Sequence, residues 1–215
     1  MREKRLRRKK DIKSIVLNHI YKNLKAYIIV IIIFIIGITL GVIFVNNIND
    51  SELTEINKYI TNFVNNLKQD YHIDKGQLLK KSLWDNLILI LGMWFAGSTV
   101  IGIPIVFGIV LYRSFCIGYT ISAVIAVLGT QKGIIFLLST IFLQNLIFIP
   151  VIICMTISCI KLYKSIMKDK RRENIKLEII RHTIISIVLF LLLCISSLIE
   201  VYVSTNILML TIKAI

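Results

Sequence analysis

Long unbroken runs of apolar residues dominate this chain, and its polar residues gather between the runs instead of alternating with them. Tyr27–Val45 is nineteen residues without a charge. A hydrocarbon core of about 30 Å takes roughly 20 apolar residues as helix, because unpaired backbone groups are too costly in lipid. The run reads as an uncleaved anchor, since Val45-Asn46-Asn47 offers no small-x-small cleavage site. Polar sequence fills residues 46–82, and apolar character then returns through Leu111. Gly92, Gly97, Gly102 and Pro104 interrupt that stretch, which predicts a second span that is bent or broken, or a re-entrant pair near Pro104. Arg113 marks its far end. A short third span is expected over Ser114–Leu128, then a turn at Gly129-Thr130-Gln131-Lys132-Gly133 and a fourth span over Gly133–Ile160. Lys161–His182 reads as a charged loop and Thr183–Val203 as a fifth span.

The expected fold is therefore all-α, a polytopic integral membrane bundle of about five transmembrane helices. Its parts are a basic amphipathic segment (1–26), a first span (27–45), an amphipathic region (46–82), spans two to four (83–160), a basic loop (161–182) and a last span with its tail (183–215). Composition agrees: 56% of residues are hydrophobic, 18% are charged and mean hydropathy is +0.79, whereas soluble domains carry about a quarter charged residues.

A net charge of +14 would point to nucleic acid in a soluble chain. Here the cations sit in two blocks beside apolar runs, so topology explains them and no nucleic-acid partner is expected. With the N-terminus inside, nineteen of the 26 Lys and Arg residues fall on the cytoplasmic side and seven outside. That asymmetry predicts N-in and C-out. Ile12, Ile15, Val16, Ile20 and Leu24 follow helical spacing behind the first basic cluster, which fits either a helix on the anionic inner leaflet or a simple topology signal. Outside, Ser51 can cap a helix whose stripe is Leu53, Ile56, Ile60, Phe63, Val64 and Leu67. Such a stripe either lies on the membrane or meets a partner.

Catalytic patterns are missing. There is no HExxH, and His19, His72 and His182 fall in three separate regions, read as interfacial or solvated side chains. Gly97-Ser98 lacks the flanks of a serine nucleophile, and no phosphate loop is present. Cys116, Cys154, Cys159 and Cys194 lie in apolar segments and read as small hydrophobes. We expect no enzyme, metal or cofactor. Polar groups within or at the ends of spans are the remaining candidates, being expensive in lipid. Gln144 falls about 16 Å along the fourth span, near the midplane, with Asn145 beside it. Pro150 frees the carbonyl of Leu146. The two amides either line a transport cavity or bond across helices. Asp85, Asn86 and Glu200 form an outer patch that docks a partner, or are simply solvated. Gly37 and Gly41 make a small-xxx-small face for another span or a second protein.

Asn86…Gly92-Met93-Trp94, Ile101-Gly102-Ile103-Pro104, Gly118-Tyr119-Thr120, Gly133, Gln144-Asn145-Leu146-Ile147, Pro150 and Ser197-Leu198-Ile199-Glu200 occur in that order. This series resembles the stage II sporulation protein M family of endospore-forming bacteria, over most of the chain from about Tyr27 onward. The resemblance implies a multi-pass membrane scaffold at the sporulation septum of the mother cell. Its expected partners are stage II sporulation proteins D and P, peptidoglycan hydrolases that thin septal wall during forespore engulfment. The rival expectation, from the residues alone, is a small transporter or channel using Gln144 and Asn145. Membrane lipid is a partner either way, and oligomeric state is left open.

Overall fold

A computed structural model describes residues 20, 21, 23–68, 74–99, 101–168 and 172–214. Among these residues the chain is helical throughout, without a strand. The helices are α1 (Leu24–Asn46), α2 (Asp50–Lys68), α3 (Lys75–Gly97), α4 (Gly102–Leu128), α5 (Thr130–Leu137), α6 (Leu143–Lys168), α7 (Arg172–Ile199) and α8 (Thr205–Ala214). Two π-helical turns, Leu138–Phe142 and Glu200–Ser204, join α5 to α6 and α7 to α8. Four helical stretches are long and apolar enough to cross a bilayer: Leu24–Asn46, Gly102–Leu128, Gln144–Met167 and Ile175–Leu210. This is a multi-pass membrane architecture.

Several expected boundaries move. The second span does not run to Leu111, and Arg113 ends nothing. The chain turns at residues 98–101 instead, and α4 passes straight through Arg113 and Ser114 to Leu128. Pro104 neither bends a span nor marks a re-entrant pair. It sits in the first turn of α4, where its missing N–H would have had no intrahelical partner. The helix expected from residue 83 begins earlier, at Lys75, because Asp74 Oδ1 accepts from the backbone N–H groups of Gly76 (2.9 Å) and Gln77 (3.1 Å). The charged loop 161–182 is largely helical, since α6 continues to Lys168 and α7 starts at Arg172. The turn expected over residues 129–133 shrinks to Gly129, whose φ of 77° favours glycine, since α5 already begins at Thr130. The basic cluster before Ile20, with His19, and His72 lie outside the described residues.

Helix directions alternate. α3 and α4 reverse through the short turn at 98–101. α6 opposes α7, since Gln144 reaches Glu200 while Ser158 reaches His182. α3 also opposes α7, through Ser82 with Ser197 and Trp94 with Thr183. Gly37 meets Leu111 and Ser114 while Gly41 meets Phe115 and Tyr119, so α1 and α4 run parallel. Thus α1, α4 and α7 point one way, and α3 and α6 the other.

The seam between α1 and α4 is the closest in the bundle. A Cβ added at Gly41 would lie 2.6 Å from the Tyr119 backbone nitrogen, and one at Gly37 would lie 2.7 Å from the Leu111 carbonyl oxygen. Phe44 closes the C-terminal end of α1 against Phe115, ring centroids 5.7 Å apart. The small-xxx-small face is therefore used within the chain. Met93, Ile152, Met155 and Leu193 fill the centre of the bundle, while Ile32, Ile35, Ile187 and Leu191 face outward. An apolar outer surface is what a helix bundle in lipid presents.

The α2 stripe divides. Leu67 is buried, and Ile60 and Val64 pack with Val124, Phe136 and Leu208. Leu67 is thus unavailable as a partner surface, because its own chain covers it. Leu53 and Phe63 stay exposed, and Ile56 is half-buried.

Candidate functional site

α3, α4, α6 and the second π-helical turn line an open cavity of about 420 Å³, within the range of small-molecule sites. Asp85 and Asn86 enter from α3, Arg113 from α4, Gln144 and Asn145 from α6, and Glu200 from the π-helical turn. The convergence follows from counting. Asp85 lies twelve residues before the end of α3 and Arg113 eleven after the start of α4, so the antiparallel hairpin brings both to one level. The parallel packing of α1 then fixes depth. Gly37, close to the middle of the Tyr27–Val45 run, sits against Leu111 and Ser114. Arg113 therefore lies near the middle of that apolar run.

A hydrogen-bond chain lines one wall. Gln144 Nε2 donates to Glu200 Oε2 at 2.8 Å, and Ser82 Oγ donates to the same oxygen at 2.6 Å. The Ser82 and Ser197 hydroxyls are 2.9 Å apart, and Asn86 Nδ2 donates to Ser197 Oγ at 2.9 Å. Each hydroxyl has one proton, so a consistent order runs from Asn86 through Ser197 and Ser82 to Glu200. On the opposite wall the Arg113 guanidinium lies over the Phe148 ring, 5.3 Å from its centroid. The ion pair found among the described residues joins Arg181 to Glu178 at 2.8 Å. Among the described residues Arg113 makes no ion pair with a carboxylate.

The two π-helical turns face each other beside the cavity. A π-helical turn leaves carbonyls out of the regular ladder, and such turns are frequent at functional sites. Ser204 Oγ donates to the carbonyls of Ser139 (2.6 Å) and Thr140 (2.9 Å). Thr205 Oγ1 donates to that of Glu200 at 3.1 Å. These bonds satisfy the bulged backbone and hold Gln144 and Glu200 in register.

The structure thus brings Asp85, Asn86, Gln144, Asn145 and Glu200 together. Asp85, Asn86 and Glu200 lie together and share one cavity lining with the two amides. Pro104 and Pro150 are exposed on helix surfaces. Gly37 and Gly41 belong to the α1–α4 seam, and Leu53, Ile56, Ile60, Phe63 and Leu67 to α2. Arg113, Ser82 and Cys116 also line the cavity, with Ser197 bonded behind Ser82 and Asn86, and the pattern of the sequence marks none of them as a site residue. The overlooked signal was local: Leu111-Tyr112-Arg113-Ser114-Phe115 contains no glycine, proline, asparagine or aspartate, so nothing there ends a helix.

His182 is a further correction. It is not solvated: only 1% of it is exposed, and its Nδ1 lies 2.8 Å from Ser158 Oγ. A Cβ at Gly97 would come 2.6 Å from Cys159 Sγ and 3.2 Å from His182 Nε2. The position is a tight crossing of α3, α6 and α7 at the C-terminal end of α3.

The family described as Stage II sporulation protein M matches residues 30–205. No curated protein and no solved structure matches the chain.

Proposed function

The chain belongs to the stage II sporulation protein M family, and from that membership we propose a non-enzymatic membrane scaffold that gathers extracytoplasmic peptidoglycan hydrolases at the sporulation septum. Membership makes it a sporulation-related membrane protein; the recruiting role is our extension. The observation that carries it is the span of the match, which includes the bundle together with α2. Stage II sporulation proteins D and P are the proposed partners, and septal wall thinning for engulfment is the proposed outcome.

The reading places five crossings, N-in and C-out. Alternating helix directions support it. Removing Arg113 from the cytoplasmic count leaves eighteen Lys and Arg residues inside against seven outside, which still favours this orientation. α3 is the fifth crossing. It carries Lys80, Lys81 and Asp85 in its outer half, but it is as long as α1 and reverses directly into α4. On this topology α2 lies on the outer side, presenting Leu53 and Phe63. Replacing Phe63 with Asp is expected to abolish co-purification of the hydrolases while leaving membrane insertion intact; unchanged recovery contradicts this surface.

One observation favours a second reading, a small transporter or channel. The cavity places Gln144, Asn145 and a cation near mid-depth, as a solute pathway does. Single cysteines at 141–148 discriminate. Reactivity toward water-soluble reagents graded along the helix supports a pathway, and uniform protection supports amides that only join helices.

A further inference from the structure

Arg113 combines features that helix packing alone does not account for. A cation at mid-depth is expensive unless something solvates it. Phe148 covers one face of the guanidinium, and the rest looks into the cavity. Two carboxylates share that cavity without an ion pair to Arg113 among the described residues. They are held back. Glu200 is tied to its wall by Ser82 and Gln144, and Asp85 projects from α3 as an exposed side chain. The lining carries Lys81 and Arg113 against Asp85 and Glu200, so the site is formally neutral with its charges kept apart.

A cavity of this kind discriminates by charge pattern. A simple anion satisfies Arg113 but leaves excess negative charge beside Glu200 in a poorly screened space, and a simple cation does the reverse. A molecule with an anionic group at one end and an ammonium at the other neutralises both walls. The guanidinium fork suits phosphate or carboxylate, and Gln144 and Asn145 line the same cavity. We propose that this cavity binds a small zwitterion, its anionic group on Arg113 and its ammonium on Glu200 and Asp85. The source is either a lipid headgroup of the phosphoethanolamine type or a free zwitterion such as an amino acid. This inference goes beyond the scaffold reading and does not depend on it.

Cys116 lines the same cavity and provides the reporter. In full-length protein carrying Cys154→Ala, Cys159→Ala and Cys194→Ala, Cys116 is the remaining thiol. The protein is reconstituted in vesicles of phosphatidylglycerol alone, or of phosphatidylglycerol with phosphatidylethanolamine. Reaction of Cys116 with a small methanethiosulfonate reagent is then followed by mass spectrometry. Slower reaction in the phosphatidylethanolamine vesicles identifies a headgroup. Slower reaction in phosphatidylglycerol vesicles on adding glycine or O-phosphoethanolamine identifies a free ligand. In either case inorganic phosphate or ethylamine alone is expected to protect weakly. Arg113→Gln and Glu200→Gln are each expected to weaken protection about tenfold, the order for losing one charge-assisted hydrogen bond. Arg113→Lys is expected to retain part of it, which keeps the test decisive if Arg113→Gln fails to fold. The proposal is overturned if labelling is indifferent to every zwitterion, or if phosphate alone protects as well. It is also overturned if Cys116 never reacts, since a cavity closed to a small reagent is closed to such a ligand.

Discussion

The α1–α4 seam and the polar cavity sit on opposite faces of the same helix and obey opposite rules. At the seam, Gly37, Gly41 and Gly118 remove side chains so that two backbones touch. Lipid tails are as apolar as leucine, so close van der Waals packing takes over the role that hydrophobic burial plays in water. At the cavity, from the position next to Ser114, α4 places the bulkiest charged side chain available in a gap between four segments. A bundle built only for stability would have filled that gap with leucine. The contrast separates what holds the protein together from what it holds.

Substitutions can break this contrast, and the largest effect is expected at the seam. Gly41→Leu drives a side chain into the α4 backbone, where nothing flexible can yield. We expect a loss of about 3 kcal/mol or more, read as collapse of membrane abundance and of thermal stability in detergent. Glu200→Leu comes next. It strands the Ser82 hydroxyl and the Gln144 amide, for about 1–3 kcal/mol, measured by the same unfolding transition. Asn145→Leu is expected to lower abundance modestly if the amide joins helices, by about 1 kcal/mol; an undiminished yield argues against that role. Arg113→Leu should be smallest and of the opposite sign. Removing a charge with no carboxylate partner leaves stability unchanged or raises it by up to about 1 kcal/mol. A drop comparable to Gly41→Leu would make Arg113 structural and erase the distinction.

The two regions also differ in how far the sequence reveals them. Gly37-Ile38-Thr39-Leu40-Gly41 announces close packing by spacing alone, because residues four apart share a helix face. The cavity has no such local signature. Its members are spread from Ser82 to Glu200 and meet only when α3 and α4 reverse at residues 98–101. Placing that reversal beyond Leu111 turned Arg113 into a loop marker and hid the site. Gln144 and Glu200 stood out as polar groups in apolar surroundings, but their contact depends on two π-helical turns that no periodicity announces. The α2 stripe was legible as a stripe. Which of its residues meet the chain's own helices depends on packing against α4, α5 and α8, and pattern alone cannot assign that.

The scaffold claim is tested most directly by imaging a fluorescent stage II sporulation protein P in sporulating cells with and without this chain. The account predicts septal enrichment in its presence and diffuse fluorescence in its absence. Equal enrichment in both strains would contradict it.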